Sequence, residues 1–388
     1  MAAKMFHNLQ VSLELDDPPT RLPLEFHRRL PGYRPTPLIQ VPGLARRLGV
    51  GDVWVKDESC RLGLPSFKVM GASWAVINAL AQRFEGLSTR MSLYEFAAQL
   101  VPHGPLKLLA ATDGNHGRAV AWMAKLLGLK SRILVPSDMV PARRQAISSE
   151  GAEVVVVDGN YDDAVTRSAE EATDRHILVS DTSWPGYETI PHAVIDGYST
   201  IFWEIEDELR RLGECGPDLV VVQIGVGAFA AAAIRHFRRP GVGTPPRILG
   251  VEPANAACAL ASLRANRVVS VPGLLDSIMS GLNCGTPSLV AWPYLRRGID
   301  AVVAIEDEWA RQGMRDLATL GIKGGECAGA GLGALAELRS ESEGNRERER
   351  LGIDGSTSVL LFLTEGVTDP SAYAEIVGGS LRMPHPRG

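Results

Sequence analysis

A single lysine, Lys68, follows an aromatic residue in Ser66-Phe67-Lys68-Val69-Met70-Gly71-Ala72, where helical patterning begins. An amine there sits at the positive end of a helix dipole, and shelter from bulk water would act in the same direction, both lowering its pKa. A lysine in that state adds readily to a carbonyl carbon to form an imine. The spacing therefore predicts a nucleophilic amine with a pKa below that of a solvated lysine. Two further runs could hold a carbonyl compound. In Thr112-Asp113-Gly114-Asn115-His116-Gly117, small residues let backbone N–H groups approach an anion or a ring, and Asn115 can both donate and accept. In Gly225-Val226-Gly227-Ala228-Phe229-Ala230, the glycines permit positive φ and so turn successive N–H groups inward, as a phosphate at a helix start requires. Ala230 stands where a dinucleotide fingerprint needs its third glycine. Taken singly, each run also reads as ordinary structure: a solvated helix-start lysine, a helix cap and a turn.

The surrounding elements must bring these runs together. Val53-Trp54-Val55 is a short β-type run leading to the lysine, and Ser73 to Arg83 keeps a helical pattern. Leu106–Ala111, Arg132–Val135, Glu153–Val157 and Ile177–Ser180 read as strands, with helices at Asn115–Leu127, Ala142–Glu150 and Asp162–Asp174 between them. Short strands alternating with helices mark βαβ units and a parallel sheet. After Trp184-Pro185-Gly186-Tyr187 the rhythm resumes, with a helix over Ala193–Leu212 and strands at Leu219–Ile224, Ile248–Val251, Ala301–Ile305 and Val359–Leu363. The first residues to about Pro31 read as irregular, Pro35 to Leu48 as a turn entering a short helix, Phe84 to Pro105 as partly helical, and the mixed-charge run Glu341 to Arg350 as a solvated loop. Two α/β sheets with Lys68 near the first predict a cleft between domains, where small-molecule sites lie.

Composition narrows the partners. The 388 residues are 45% hydrophobic and 22% charged with a net charge of −5, ordinary for a globular protein of two domains or one large α/β unit. That balance gives no electrostatic case for nucleic acid or an anionic membrane. The five cysteines, Cys60, Cys215, Cys258, Cys284 and Cys327, are dispersed without CxxC spacing and read as reduced thiols of a cytoplasmic protein with no metal site. No basic start with an apolar run opens the chain, and no apolar stretch is long enough to span a bilayer.

An imine-competent lysine, an asparagine loop after one strand and a phosphate cradle after another are together the parts that hold pyridoxal 5'-phosphate. Lys68 would take the aldehyde, Asn115 the ring hydroxyl, and the 225–228 loop the phosphate. With these parts the chain resembles the tryptophan-synthase-β-like (fold type II) pyridoxal-phosphate enzymes, the group that includes serine and threonine dehydratases. Ser66-Phe67-Lys68-Val69-Met70-Gly71-Ala72 is similar to the dehydratase SFKxRGA motif, with Met70 in place of arginine. Dehydratases usually carry serine where this chain has Asp113. Ala111 to Arg118 is similar instead to the loop of the diaminopropionate ammonia-lyases, as are Lys56-Asp57-Glu58-Ser59, Asp181 to Tyr187, Ser280 to Gly285 and Thr364-Glu365-Gly366.

That resemblance covers about Tyr33 to Asp369. It implies a fold of two open, twisted, mostly parallel sheets flanked by helices, with the cofactor in the cleft between a large domain (1–60 and 188–388) and a small one (61–187). It implies a homodimer and α,β-elimination of a small β-substituted amino acid, 2,3-diaminopropionate first among them, to pyruvate and ammonia. It further implies Lys68, Asp113 and Asp181 as the catalytic set, the two aspartates on opposite faces of the cofactor. Asn115, Gly225, Val226, Gly227, Ala228, Phe229, Glu326 and Thr364 would complete the cofactor contacts, with Glu326 in the cofactor-facing wall and His116 structural. A serine/threonine dehydratase, a β-replacement synthase and a non-catalytic binder of cofactor or amino acid stand as the alternatives. The chain departs from the family at Pro65 and Ser66, at Ala231 and Ala232, at Leu363, and at Cys327 and Ala328.

Overall fold

The computed structural model describes residues 4–378 apart from Leu13, Asp16 and Glu341, and leaves out the side chains of Ser342 and Glu343. Its strands are β1 (Lys4–His7), β2 (Leu38–Gln40), β3 (Asp52–Asp57), β4 (Lys107–Ala111), β5 (Lys130–Pro136), β6 (Glu153–Val157), β7 (His176–Leu178), β8 (Leu219–Gln223), β9 (Arg247–Pro253), β10 (Ala301–Ile305) and β11 (Ser358–Leu363). They form a seven-stranded sheet in the order β1-β10-β9-β8-β11-β3-β2 and a four-stranded sheet in the order β6-β5-β4-β7. Among the described strands, the β1/β10 and β2/β3 pairs are antiparallel and the rest parallel. Apart from the half-exposed edge strand β6, the parallel strands are mostly buried runs, rich in Val, Ile and Leu, as helices covering a sheet from two sides require.

The order of strands places the site. In the large sheet β9 and β10 lie on one side of β8, while β11 and β3 lie on the other. In the small sheet β5 and β6 lie on one side of β4, and β7 lies on the other. At such reversals the connections leave the strands' carboxyl ends in opposite directions and open a crevice. The residues that follow β8, β11, β4 and β7 are Gly225-Val226-Gly227, Thr364, Asp113 and Asp181 in turn. Topology alone thus brings four of the motif runs to two crevices.

Alternation decides which side chains face the site. On β11, Leu360 and Phe362 join the core shared with the Lys68–Arg83, Thr189–Leu212 and Ala228–Phe237 helices, while Leu361 and Leu363 join the core on the other face. Gly71 lets the Lys68–Arg83 helix cross the Thr189–Leu212 helix closely, since a Cβ there would stand 2.5 Å from the Tyr198 ring; a Cβ on Gly197 would stand 2.4 Å from the Met70 carbonyl. Met70, where dehydratases carry arginine, is wholly buried in this contact.

Three expectations change. The N-terminal stretch is not irregular throughout: β1 pairs with β10, and a helix at Leu22–His27 is tied to the core by His27, which bonds Thr200 Oγ1 at 2.7 Å and donates to the Met70 carbonyl at 2.9 Å. The Pro35–Leu48 segment includes a strand before its Pro42–Leu48 helix, because β3 offers an edge to pair with. As the pattern predicts, the Lys68–Arg83 helix starts at the lysine. Ser342–Arg350 is a helix, not a loop; Arg348 turns inward and donates to the Leu48 carbonyl at 3.1 Å, an anchor that charge pattern alone cannot reveal. Glu341, which opens the charged run, lies outside the described residues.

Candidate active site

Lys68 is the first residue of its helix, and the segment ahead of it is pinned to the end of β11. Phe67 N donates to the Thr364 carbonyl at 3.4 Å, and Gly366 N donates to the Pro65 carbonyl at 2.9 Å. Pro65 therefore loses a side-chain amide relative to the family but keeps the backbone acceptor that matters for this pairing. Ser66 Oγ accepts from the Lys68 amide at 3.3 Å. From here Lys68 reaches across to the small sheet, where its Nζ donates to Asp181 Oδ2 at 2.7 Å. Tyr161, which opens the Tyr161–Glu170 helix after β6, donates to Asp181 Oδ1 at 3.1 Å. Asp181 is held between Ser180, whose amide donates to Tyr187 Oη at 3.1 Å, and the Trp184–Tyr187 ring stack at 4.5 Å.

One cavity gathers nearly every candidate residue. Its walls include Lys68, Asp113, Asn115, Asp181, Gly225, Val226, Gly227, Ala228, Phe229 and Thr364, and it encloses about 690 Å³ of space, part of it continuous with solvent. Glu326 is the exception. It lies in an adjoining, larger cavity of about 1280 Å³, also partly continuous with solvent, with Asp138, Arg143, Asp276 and Asp369, 3.8 Å from the Arg143 guanidinium, while Cys327 and Glu365 take the wall toward Lys68. Asp113, Tyr161 and Asn283 border both cavities.

The lysine's ionisation differs from the expected one. Burial does pull the Lys68 pKa down, but the Asp181 carboxylate, with Tyr198 and Asp113 nearby, outweighs burial and holds it well above the usual lysine value. The helix-dipole argument left out a carboxylate placed 113 residues away in sequence. Asp181 shows the reciprocal effect: burial would raise it, yet the Lys68 ammonium and His116, with hydrogen bonds from Lys68 and Tyr161, hold it well below the carboxylate range. Asp113 is raised, by burial first and by Asp181, against the pull of Lys68 and Arg143. The two aspartates thus sit in one cavity with opposite shifts, the pattern by which one carboxyl keeps a proton and the other gives it up. Burial also pushes the Cys258, Cys284 and Cys327 thiols up, so they are poor nucleophiles.

The walls fit pyridoxal phosphate on four counts. An amine stands at Lys68. The Asn115 amide, pinned through Nδ2 to Glu365 Oε2 at 2.7 Å, faces the same space. Gly227, at φ +95°, starts the Ala228–Phe237 helix, whose first N–H groups have no partner within the helix. A Cβ on Gly227 would stand 2.8 Å from Leu295 Cδ1, and one on Gly225 would stand 3.0 Å from the Gly281 carbonyl, so the Ser280–Gly285 motif packs under this loop. Finally, Thr364 Oγ1 is buried without a hydrogen-bond partner, an acceptor or donor left waiting for one. Leu363 packs on the other face of β11, beside Gly324, so its departure from the family lies outside the cavity. Ala231 and Ala232 are buried in the helix behind the phosphate loop and border neither cavity.

Sequence reasoning passed over Tyr161 and gave Glu365 no role. Glu365 lay within a quoted motif, and a buried acid after a strand end was its only signal. Tyr161 carried none beyond its place after a strand.

Residues 29–351 match the family model for the pyridoxal-phosphate dependent enzymes. A diaminopropionate ammonia-lyase from Salmonella typhimurium is 37% identical over 368 residues, covering 91% of this chain and 90% of that protein. Crystal structures of Escherichia coli diaminopropionate ammonia-lyase, one in complex with D-serine and one with an aminoacrylate-PLP azomethine reaction intermediate, superpose with TM-scores of 0.89 and 0.88 at 32% identity, each comparison covering 97% of both chains.

Proposed function

The chain belongs to the pyridoxal-phosphate dependent enzymes and, within them, to the diaminopropionate ammonia-lyase family, and we propose that it eliminates the β-amino group of 2,3-diaminopropionate. With one water the reaction yields pyruvate and two molecules of ammonia. The observation that carries this reading is the pairing of Lys68 with Asp181 across a cavity that Asp113 also borders, two carboxyls whose pKa values are shifted in opposite directions beside one amine.

Bound pyridoxal phosphate supplies an aldehyde for the lysine and an electron-withdrawing ring that makes the substrate Cα–H acidic. The protein's part is binding, orientation and proton movement. Gly225 to Phe229 would hold the phosphate through backbone N–H groups, Asn115 would take the ring hydroxyl, and Thr364 Oγ1 is the group that would serve the ring nitrogen. Glu365 fixes the Asn115 amide by accepting from Nδ2, which leaves its second N–H for the cavity. Asp181, ionised, is the base; Asp113, which burial biases toward its protonated form, is the acid that delivers a proton to the departing amine, and the roles exchange for the opposite enantiomer. Tyr161 keeps the Asp181 carboxylate in orientation through Oδ1. A positioned acid–base group is worth about 10²- to 10⁴-fold. Glu326 and Arg143, in the adjoining cavity, border the path by which a diamino acid would approach.

The same reading divides the chain into a large unit, 1–60 with 188–388, and a small one, 61–187, and takes it as a homodimer in the cytoplasm. No helix among the described residues is long and apolar enough to cross a membrane. Incubation with each enantiomer of 2,3-diaminopropionate and measurement of pyruvate tests the function. Pyruvate from at least one enantiomer is expected. None from either, with 2-oxo acid formed from serine or threonine instead, would assign the chain to the dehydratases.

A further inference from the structure

His116 occupies the first turn of the Asn115–Leu126 helix and is almost wholly buried. Its Nε2 lies 2.8 Å from the Val179 carbonyl. A carbonyl only accepts, so Nε2 carries the proton and the neutral ring presents its lone pair at Nδ1. Nδ1 is buried with no hydrogen-bond partner and stands 3.9 Å from Asp181 Oδ2, the oxygen that accepts from Lys68 Nζ. His27 is the contrast: equally buried, it has partners at both ring nitrogens. A buried histidine with one nitrogen satisfied and the other turned toward a catalytic carboxylate is more than packing.

We propose that His116 is a positioning residue and proton acceptor, which takes through Asp181 the proton that Lys68 must shed before its amine can attack a carbonyl. The inference rests on the reading of Lys68 as the nucleophile. Asp181 stabilises the Lys68 ammonium, so the free amine forms only if the proton has somewhere to go. The Lys68 Nζ–H bond breaks as Asp181 Oδ2–H forms; Oδ2–H then breaks as His116 Nδ1–H forms. Lys68 ends as an amine, Asp181 as a carboxylate and His116 as an imidazolium paired with it, with charge and electrons conserved. Closing 3.9 Å to a hydrogen bond takes a shift of about 1 Å. The other titratable groups around Asp181 are Tyr161 on Oδ1, Asp113 from the preceding loop, Tyr198 from the Thr189–Leu212 helix, Tyr187 and Cys284. All are acids, so His116 is the basic acceptor of the group.

The test follows the visible absorbance that appears when cofactor-free protein captures pyridoxal phosphate, from neutral to alkaline pH. His116→Gln keeps an N–H for the Val179 carbonyl but has no basic nitrogen. Capture at neutral pH is expected to slow at least about tenfold and to converge on wild type at high pH, where Lys68 loses its proton directly to solvent. Equal rates in the two proteins at every pH overturn the proposal, and so does a slowing independent of pH, which would mean packing damage. Capture that persists in Lys68→Ala sinks the reading of Lys68 itself, and the proposal with it. In the wild-type protein, the imidazole nitrogen spectrum should show His116 at neutral pH with its proton on Nε2; a proton on Nδ1 overturns the relay whether or not the variants fold.

Discussion

Two lysines from the same stretch of chain, Lys56 and Lys68, are each paired with a carboxylate, the first fully buried and the second half-buried, and the polar groups around them differ. Around Lys56 every polar group is answered. Its Nζ donates to Glu204 Oε2 at 2.7 Å and to the Thr36 carbonyl at 2.8 Å. Arg61 donates to Glu204 Oε1 at 2.7 Å and to Glu58 Oε2 at 2.8 Å, and Thr36 Oγ1 donates to Glu58 Oε1 at 2.6 Å. Around Lys68, His116 Nδ1, Thr364 Oγ1 and Gln223 Oε1 are buried without partners, and Thr364 and Gln223 line an open cavity. A closed ionic network fixes structure, because breaking it strands a charge. An open one holds reactivity, because its unanswered atoms await a ligand.

The largest effect that would break this comparison is expected at the lysines themselves. Lys68→Ala should reduce turnover below detection and abolish the visible absorbance of bound cofactor, yet cost less stability than Lys56→Ala. Asp181 borders a cavity continuous with solvent, can take a proton, and keeps Tyr161. Lys56→Ala leaves Glu204 deep in the protein with one cation fewer and should destabilise by about 3–5 kcal/mol, read from denaturant midpoints. Equal losses of stability in the two variants would dissolve the distinction.

The acid limb is a smaller effect. Burial raises the Glu204 pKa, but Arg61 and Lys56 with their hydrogen bonds lower it to about 2, against 4.5 for a free glutamate. A carboxyl depressed on folding contributes stability that is complete above its unfolded value and lost as pH falls through its folded one. Urea midpoints should therefore drop between about pH 4.5 and about 2, and Glu204→Gln should flatten that drop. A slope unchanged in the variant would assign the acid sensitivity to other carboxylates.

The two regions were unequally legible. The open site announced itself in sequence because its loops need particular residues. Glycine at 227 permits a positive φ and a close approach to Leu295, Asn115 opens a helix with an amide, and Lys68 follows Phe67 at a helix start. The closed network was visible only as the quoted run Lys56 to Ser59. Nothing local in Glu204, in the middle of a long helix, says that it meets residues 143 and 148 positions earlier in the chain. The lysine's pKa failed for the same reason, since its sign was set by Asp181, a long-range partner. Fold class was legible because periodicity is local; β1 and β2 were not, because a short edge strand depends on the neighbour it pairs with.

The smallest contrast uses the same substitution in both regions. Thr364→Val removes a hydroxyl that bonds nothing in the protein and replaces it with a methyl of similar size, so cofactor-free stability should hold or rise slightly. Thr36→Val removes a hydroxyl that donates to Glu58 and accepts from Arg61 at 3.0 Å, and should cost about 1–3 kcal/mol by leaving charged partners unanswered. Cofactor affinity should move the other way. It should weaken in Thr364→Val by about 0.5–1.5 kcal/mol, one hydrogen bond, and stay unchanged in Thr36→Val. Thermal melts of the cofactor-free proteins and titration with pyridoxal phosphate measure both columns of that cross. If Thr364→Val lost stability without losing affinity, its hydroxyl would belong to the folded scaffold, and the unanswered atoms around Lys68 could no longer be read as places kept for a ligand.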